Sequence, residues 1–401
     1  MAVNPTRTVW ARLEADVRFP AHGELVKFVG REGLLHDYLG EIPTPTDCTE
    51  CRPNAMGWWS PIENGPMFTG PWLEACLKIA DATANSADRE LCRRLVDGLL
   101  LAASVSDVPG MIARGVATDG RAHYPLGSED QTLPWFFGLS AYLRSGLAVR
   151  GDGIVDKLVE VADALESSGW RCPCDQCFAG EFRGRFSSGL PFRSAAHFLF
   201  ILRAVFEATG DRAWLSRYEA ACREEQPGQG MSRLEVCARG YAADLSGLPS
   251  LEPGLLWIYV CAQGCLAQLA AWDAPRADIF RRGLDANADR ARPFIGLFRE
   301  YDNSTEHPFR YANWRTGYAW RIQATQKDAE AVAATGDKNV LGNRKSFERR
   351  TMTAPLSAAA ICAYAGRYLG ECRAAIAHYD YSTLCLSEFF LADIVAVHAG
   401  A

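Results

Sequence analysis

The sequence predicts an all-α fold, an (α/α)6 toroid of helical hairpins, and three observations support this prediction. Helical periodicity recurs in pairs of segments along the chain, whereas the alternating pattern of strands is almost absent. One member of several pairs is apolar nearly all round, as in residues 134–146, 195–208, 254–271 and 355–366, which is typical of buried helices. The partner segments, such as DRELCRRLVDGLL, are amphipathic. Buried inner helices and half-exposed outer helices together indicate a closed ring.

An open helical solenoid is the alternative architecture. It should show a recurring signature at a fixed period, and the sequence contains none. Long loops of uneven length also favour the toroid, in which they would gather at one mouth. No Pro-, Ser- or Gly-rich linker divides the 401 residues, so we expect a single domain, with residues 1–50 as a partly helical N-terminal arm.

The predicted helices begin and end at cap and turn residues. Ser86 is the expected N-cap of the second helix, and an Ala-Thr-Gly-Asp break precedes the sixth. The predicted segments are 66–85, 86–106, 130–149, 153–168, 190–209, 212–225, 231–243, 253–272, 275–300, 315–334, 353–366, 371–378 and 382–397.

Composition excludes two classes of partner. The net charge of −6 and the scattered Lys and Arg residues provide no basic stripe for nucleic acid. The most apolar segment, LLWIYVCAQGCLAQLAAW, is interrupted by Gln263, Gly264 and Gln268, whereas a membrane span needs roughly 18 to 20 apolar residues. The first residues lack the apolar run of a secretory signal. We therefore expect a cytoplasmic protein with neither nucleic acid nor membrane as a partner.

Five of the 14 cysteines are clustered by spacing, and this raises the question of zinc. Cys48 and Cys51 form a CxxC pair, and Cys172, Cys174 and Cys177 form CPCDQC. Two such pairs could bind zinc tetrahedrally. The two clusters lie far apart in sequence and the fifth cysteine breaks the pairing, so free thiols are the preferred interpretation. We expect neither a metal nor a cofactor.

The first loop with potential chemistry is GWWSPIENGPMFTG. Asn64 precedes a helix that starts near Pro66, and an Asn in this place commonly caps a helix. Trp58 and Trp59 have no such explanation, and flat aromatic faces suit stacking on sugar rings. Glu63 is a carboxylate suited to hydroxyl recognition or acid/base work.

The second loop precedes the next apolar helix. Asp119-Gly120 is a turn signal, and both Ser128 and Asp130 are candidate helix caps. Its other polar residues have no comparable local explanation, and together they offer a cation, an imidazole, a phenol and carboxylates, which proton transfer on a polar substrate requires. These candidates are Asp107, Arg114, His123, Tyr124 and Gln131, with Asp130 serving in both roles.

Two further loops are rich in polar and aromatic residues. Arg183, Arg185 and Arg193 either pair with nearby acids or bind a substrate carboxylate, since the guanidinium fork matches that group. His197 lies on an apolar helix face and is expected to be a core histidine. The fourth region, residues 299–320, contributes His307 and Trp314 as candidates for lining a carbohydrate cleft.

Several catalytic motifs are missing from the sequence. It contains no phosphate-binding P-loop, no dinucleotide-binding glycine fingerprint after a strand, no HExxH and no GxSxG. Hydrolysis by paired carboxylates and base-catalysed elimination remain as the better chemistries.

Three stretches, ENGPMFTG, VPGMIARGV and DGRAHYPLGSEDQ, together with the hairpin pattern, resemble the six-hairpin glycosidase-like superfamily. The similarity is to bacterial members found near polysaccharide-utilisation enzymes, and in motif it covers residues 57–137. The resemblance implies the (α/α)6 toroid. It also implies carbohydrate chemistry by Asp or Glu side chains, because the superfamily includes unsaturated glucuronyl hydrolases and other glycosidases.

The sequence therefore predicts a glycoside hydrolase acting on a uronate-containing or related oligosaccharide. The candidate catalytic carboxylates are Asp130, Asp107 and Glu63. Trp58 and Trp59 would stack on sugar rings, and Arg114 or Arg185 would bind a uronate carboxylate. The full set of candidate substrate-binding residues is Trp58, Trp59, Asn64, Arg114, His123, Tyr124, Gln131, Arg185, His307 and Trp314.

Three alternatives remain open. A polysaccharide lyase would use His123 or Tyr124 as base and Arg114 or Asn64 to neutralise the uronate. A helical sugar-binding protein would perform no chemistry. A sugar 2-epimerase on the same fold would need histidines on separate helices, with His197 and either His307 or His378 as candidates.

Overall fold

A computed structural model describes residues 28–149, 151–187, 189–244, 256–297, 314–315, 318–336, 348–379, 381 and 386–400. The predicted all-α class is confirmed for these residues, since helices dominate and a single two-stranded sheet accompanies them. Most of the predicted N-terminal arm and His307 lie outside the described residues.

Fourteen α-helices are present in the described chain. They are α1 (Pro45–Thr49), α2 (Gly65–Thr83), α3 (Ser86–Ala102), α4 (Glu129–Leu143), α5 (Ile154–Ser167), α6 (Pro191–Thr209), α7 (Arg212–Arg223), α8 (Arg233–Arg239), α9 (Leu256–Trp272), α10 (Ala277–Ile295), α11 (Gln326–Thr335), α12 (Ala354–Tyr364), α13 (Leu369–His378) and α14 (Phe389–Ala399). A π-helical turn, Arg349–Thr353, leads into α12.

Six helices, here called the core helices, pack against one another in series. They are α2, α4, α6, α9, α12 and α14. Each contacts the next in this order, and α14 contacts α2, so that the series of contacts returns to its first member. The four predicted apolar segments overlap α4, α6, α9 and α12, because a helix with neighbours on several sides has no face left for polar side chains.

The remaining long helices pack against members of this series. Helix α3 contacts both α2 and α4, and α10 contacts both α9 and α12. Asn85, rather than the predicted Ser86, caps α3, because its Oδ1 accepts the backbone N–H of Ala87 at 2.9 Å. Asp211 caps α7 through the same geometry. An amphipathic pattern with one apolar stripe distinguishes α3, α5, α7 and α10 from the core helices.

Helices α2 and α4 approach closely because glycines meet at their crossing. A Cβ added to Gly70 would lie 1.9 Å from the carbonyl oxygen of Pro134. A Cβ added to Gly138 would lie 2.8 Å from the Cα of Gly70. No other residue type fits either position without moving backbone, so these two glycines set the spacing of two core helices.

Two local predictions are wrong. A hairpin of β1 (Arg171–Pro173) and β2 (Phe182–Arg185) occurs in a segment without alternating polarity. The helix predicted for 315–334 starts only at Gln326, where the side chain of Thr325 caps it. The preceding residues instead bind the loop at residue 50, since Gln323 Oε1 accepts the backbone N–H of Ala55 at 2.8 Å. Long-range side-chain contacts outweigh helical propensity there.

Each helix of the described residues is too short or too polar to cross a lipid bilayer.

Candidate functional site

The N-terminal ends of the core helices are joined by polar contacts, which begin at Asp37. Its Oδ1 accepts the backbone N–H of Asn64 at 2.9 Å, and its Oδ2 accepts Asn64 Nδ2 at 2.8 Å. Gln131 Nε2 donates in turn to Asn64 Oδ1 at 3.3 Å. The expected capping role of Asn64 is wrong, because its side chain binds Asp37 instead of the first turn of α2. All three residues are buried, and they link the starts of α2 and α4.

Asp37, Asn64 and Gln131 begin a polar cluster, and the cation of Arg349 links this cluster to α12 and α14. Arg349 Nη2 lies 3.7 Å from Asp37 Oδ2, and its Nε lies 3.8 Å from Glu388 Oε1. Glu388 also accepts the hydroxyl of Thr353 at 3.2 Å. Desolvation opposes the charge, but Glu388, Glu63 and Asp37 outweigh it and raise the pKa of Arg349. One third of the Arg349 side chain stays exposed, so this cation faces open space among acids.

A second cation links α4 to α6. Arg193 Nη1 lies 3.2 Å from Asp130 Oδ1, and its Nη2 forms an ion pair with Glu129. Glu129 Oε2 also accepts the backbone N–H of Arg185, at 3.0 Å. Burial raises the pKa of Glu129, and the neighbouring Asp130 adds to this shift while Arg193 opposes it. Of the two acids, Asp130 is the more accessible, with 32% of its side chain exposed.

Asp244 connects α6 to α9. Its Oδ1 accepts the backbone N–H of Phe192 at 2.5 Å, so that it satisfies the first turn of α6. The hydroxyl of Tyr259, in the first turns of α9, donates to the same carboxyl group. Burial raises the pKa of Asp244 to about 6 despite these hydrogen bonds. Perturbed acids of this kind are typical of functional sites.

Arg114 lies behind the accessible acids and is itself buried. Its Nη2 donates to Ser128 Oγ at 2.9 Å, and its Nη1 donates to the backbone carbonyl of Glu63 at 3.2 Å. Ser128 therefore binds this cation instead of capping α4, which corrects that expectation. Desolvation and the nearby Arg183 lower the pKa of Arg114 to about 10, with Asp130 and Glu63 opposing. Arg114 is thus charged at neutral pH between the segments that bear these two acids.

The two adjacent tryptophans are held beside Glu63. Glu63 is half-buried, and its Oε2 accepts the backbone N–H of Trp59 at 2.9 Å. The indole of Trp59 donates to the carbonyl of Ala333 at 3.0 Å, and the hydroxyl of Tyr38 donates to the carbonyl of Trp59 at 2.7 Å. Trp58 faces the guanidinium of Arg183 at 5.5 Å. Both rings stay partly exposed while their backbone is fixed.

Comparison with protein-family models, curated proteins and solved structures finds no match. The geometry of the cluster is therefore the basis for any functional conclusion.

The other predicted site residues lie in different surroundings. Asp107 is exposed after the end of α3. His123 is buried, with Nε2 2.8 Å from Asp175 Oδ2 and Nδ1 3.0 Å from the carbonyl of Arg121. Tyr124 is fully buried, and its hydroxyl donates to the carbonyl of Arg52. His123 and Tyr124 thus connect their loop to the segments around Asp175 and Arg52, and their polar atoms already have protein partners.

Of the other residues selected from the sequence, one is exposed and two are buried in the core. Arg185 is exposed at the end of β2 and meets Glu129 through its backbone. Trp314 is buried against Tyr38 and Leu386. His197 is a buried core histidine, and burial holds its pKa well below the ordinary value, so its ring is neutral.

The cysteines of the described chain are free thiols. Burial raises the pKa of Cys51 to about 12 and that of Cys174 to about 11. Within the described ranges, no group of three or more His, Cys, Asp or Glu residues could hold a metal ion.

Sequence reasoning missed Asp37, Arg349, Glu388 and Asp244. Asp37 lies in the region assigned to the arm, and Asp244 lies at the end of a short helical turn. A usable signal existed for Glu388, which stands immediately before the apolar helix α14. Asp37, Arg349 and Asp244 do not directly precede an apolar segment, so this signal would have found Glu388 alone.

Proposed function

We propose that this chain is a glycoside hydrolase with Glu63 and Asp130 as its paired carboxylates, acting on a uronate-containing or related oligosaccharide. One observation carries the proposal. Both of these partly accessible acids act on the charge of the buried Arg114, whose Nη1 donates to the backbone carbonyl of Glu63, and Asp130 also pairs with Arg193. Glycoside hydrolysis requires two carboxyl groups that can both reach the substrate.

We also propose that the core and outer helices form an (α/α)6 toroid. The closed series of contacts between α2, α4, α6, α9, α12 and α14 supports this arrangement, as does the position of α3 and α10, each against two core helices. In this arrangement the cluster around Arg114 lies at one mouth of the ring.

The proposed chemistry divides two tasks between the acids. One carboxyl group protonates the leaving glycosidic oxygen, while the other carboxylate either activates water or attacks the anomeric carbon. The cationic Arg114 donates to the backbone carbonyl of Glu63 and to Ser128, and so fixes the two segments that carry these groups. Trp58 and Trp59 offer faces for sugar stacking.

The cations of the cluster support an anionic sugar as substrate. Arg349 approaches the cluster from the turn before α12, Arg193 from α6 and Arg183 from β2. Guanidinium groups bind carboxylates through two parallel hydrogen bonds. A uronate carboxylate is therefore the group that we expect in this site, although Asp130 already shares Arg193.

The test is cleavage of a panel of uronate-containing oligosaccharides, followed by analysis of the products. A hydrolase releases products whose new non-reducing ends are saturated, and nuclear magnetic resonance of the first product gives the anomeric configuration. A lyase would release an unsaturated uronate, which absorbs ultraviolet light, and this product would overturn the proposal. Binding of the panel without cleavage would favour a non-catalytic carbohydrate-binding protein.

A further inference from the structure

The end of the molecule opposite Glu63 and Asp130 contains a cavity of about 350 Å³. It lies between the C-terminal ends of α2 and α4, and small-molecule sites commonly have this size. Its apolar wall consists of Leu77, Ala80, Ala141 and Leu147, and its charged lining consists of Glu74, Lys78, Asp81, Arg89 and Arg144.

The buried acid in the wall of this cavity already has its partners. Lys78 Nζ lies 3.0 Å from Glu74 Oε1. His398 Nε2 lies 3.1 Å from Glu74 Oε2, and the hydroxyl of Tyr364 donates to that oxygen at 3.3 Å. Burial opposes ionisation, but His398 and Lys78 outweigh it and lower the pKa of Glu74 to about 2. The charges of Glu74 and Lys78 therefore cancel, and neither determines the sign of the net charge of the cavity lining.

Arg144 presents a cation without an acid partner. Its Nε donates to the carbonyl of Ser140 at 3.2 Å, and its guanidinium carbon lies 4.8 Å from the centre of the Trp272 ring. In the part of the chain that the structure describes, no carboxylate forms an ion pair with Arg144 or with Arg89. Desolvation lowers the pKa of Arg144, and Glu74 and Glu207 oppose this shift only from a distance. Arg144 and Arg89 are exposed, and the three cations of the lining exceed its two acids, Glu74 and Asp81, by one charge, which favours an anionic ligand.

We propose that this cavity is a second ligand site, which binds a small organic carboxylate. The carboxylate accepts hydrogen bonds from Arg144 and Arg89, and the hydrocarbon part packs on Leu77, Ala141 and Leu147. A singly charged group suits this place better than a phosphate, because the C-terminal ends of α2 and α4 carry partial negative charge. The site is independent of the function proposed for the other end.

The same negative helix end supplies the competing explanation for Arg144. A cation that follows a helix C-terminus stabilises the helix itself, and Arg144 directly follows the last residue of α4. Binding and stability must therefore be measured separately.

The test uses isothermal titration of the full chain with hexanoate and, in parallel, with inorganic phosphate. We expect hexanoate to bind at millimolar concentrations or tighter. Arg144→Gln should weaken its binding about tenfold or more, which is about 1.4 kcal/mol or more. Arg93→Gln is the matched control, since Arg93 is exposed on the same helix as Arg89 but lies outside the cavity and pairs with Glu90 at 3.3 Å.

A second variant fills the cavity without removing a charge. Gly146 lines the cavity, and no atom would lie within 4 Å of an added Cβ. Gly146→Phe should therefore block hexanoate while urea unfolding shows unchanged stability. The proposal is overturned if wild-type protein does not bind hexanoate, if both variants bind it as the wild type does, or if phosphate binds more tightly than hexanoate.

Discussion

The guanidinium of Arg114 donates to the backbone carbonyl of Glu63 at 3.2 Å, which places a buried cation directly behind a half-buried carboxylate. The same guanidinium binds Ser128, two residues before Asp130. One side chain therefore fixes the two loops that carry the proposed catalytic pair.

Arg114→Gln should destabilise the fold and disturb the site together. The substitution leaves the carbonyls of Glu63 and Leu126 without their charged donor, so we expect a loss of about 3 kcal/mol in the free energy of unfolding. Urea unfolding measures this loss. Arg121→Gln, an exposed arginine of the same loop, serves as control. Equal stability of the two variants would contradict a supporting role for Arg114.

Gly70→Ala should weaken the packing of α2 on α4. The new methyl group would meet the carbonyl oxygen of Pro134, and the backbone must shift at a cost of about 1–3 kcal/mol. Gly370→Ala is the matched control, because Gly370 lies in α13 with open space around its Cβ position. There the better helical propensity of Ala should stabilise by up to about 1 kcal/mol. In thermal unfolding, we expect Gly70→Ala to lower the melting temperature and Gly370→Ala to raise it.

Asp244 should make stability fall as the pH rises. Its pKa is about 6 in the folded chain, above its ordinary value of 3.8, so its contribution is fully present below about pH 4 and is lost as the pH rises through 6. The shift corresponds to roughly 3 kcal/mol. Urea unfolding of wild type and Asp244→Asn between about pH 4 and pH 8 should show the wild type losing stability relative to the variant. A constant difference would contradict the shift.

The contribution of Glu74 to stability should depend on pH in the opposite sense, and should fall as the pH falls. Its pKa is about 2 in the folded chain and ordinarily 4.5, so its contribution is present above about pH 4.5 and is lost as the pH falls through 2. Glu74→Gln should therefore cost roughly 3 kcal/mol at neutral pH and progressively less in acid. Unfolding at a series of pH values measures this difference. A cost that does not shrink below pH 4.5 would show that packing, rather than charge, is lost.

The helices were predictable because their signals are local. Apolar segments that later form α4, α6, α9 and α12 are visible in the sequence, since burial on all sides removes polar residues from every face. The hairpin β1–β2 was not predictable, because its residues lack alternation and their partners are provided by neighbouring segments. The start of α11 was misplaced for the same reason, as Gln323 contacts Ala55 far away in sequence.

The candidate site was predictable only in part. Glu63, Asn64, Arg114, Asp130 and Gln131 were selected from two loops, and the structure brings all five into one cluster. Their roles stay predictions. Asp37 lies 27 positions before Asn64, and Arg349 lies in the turn that leads into α12; both join the same cluster through packing that no local pattern encodes. Asp107 was selected by composition alone and lies exposed.

The central claim is that Glu63 and Asp130 form the catalytic pair. The most direct measurement is the initial rate of reducing-end release from a uronate-containing oligosaccharide that the wild type cleaves. Glu63→Gln and Asp130→Asn should each lower kcat about 10²- to 10⁴-fold while circular dichroism shows an intact fold. Asp156→Asn, an exposed acid of α5, should leave the rate unchanged. Wild-type rates in both Glu63→Gln and Asp130→Asn would contradict the account.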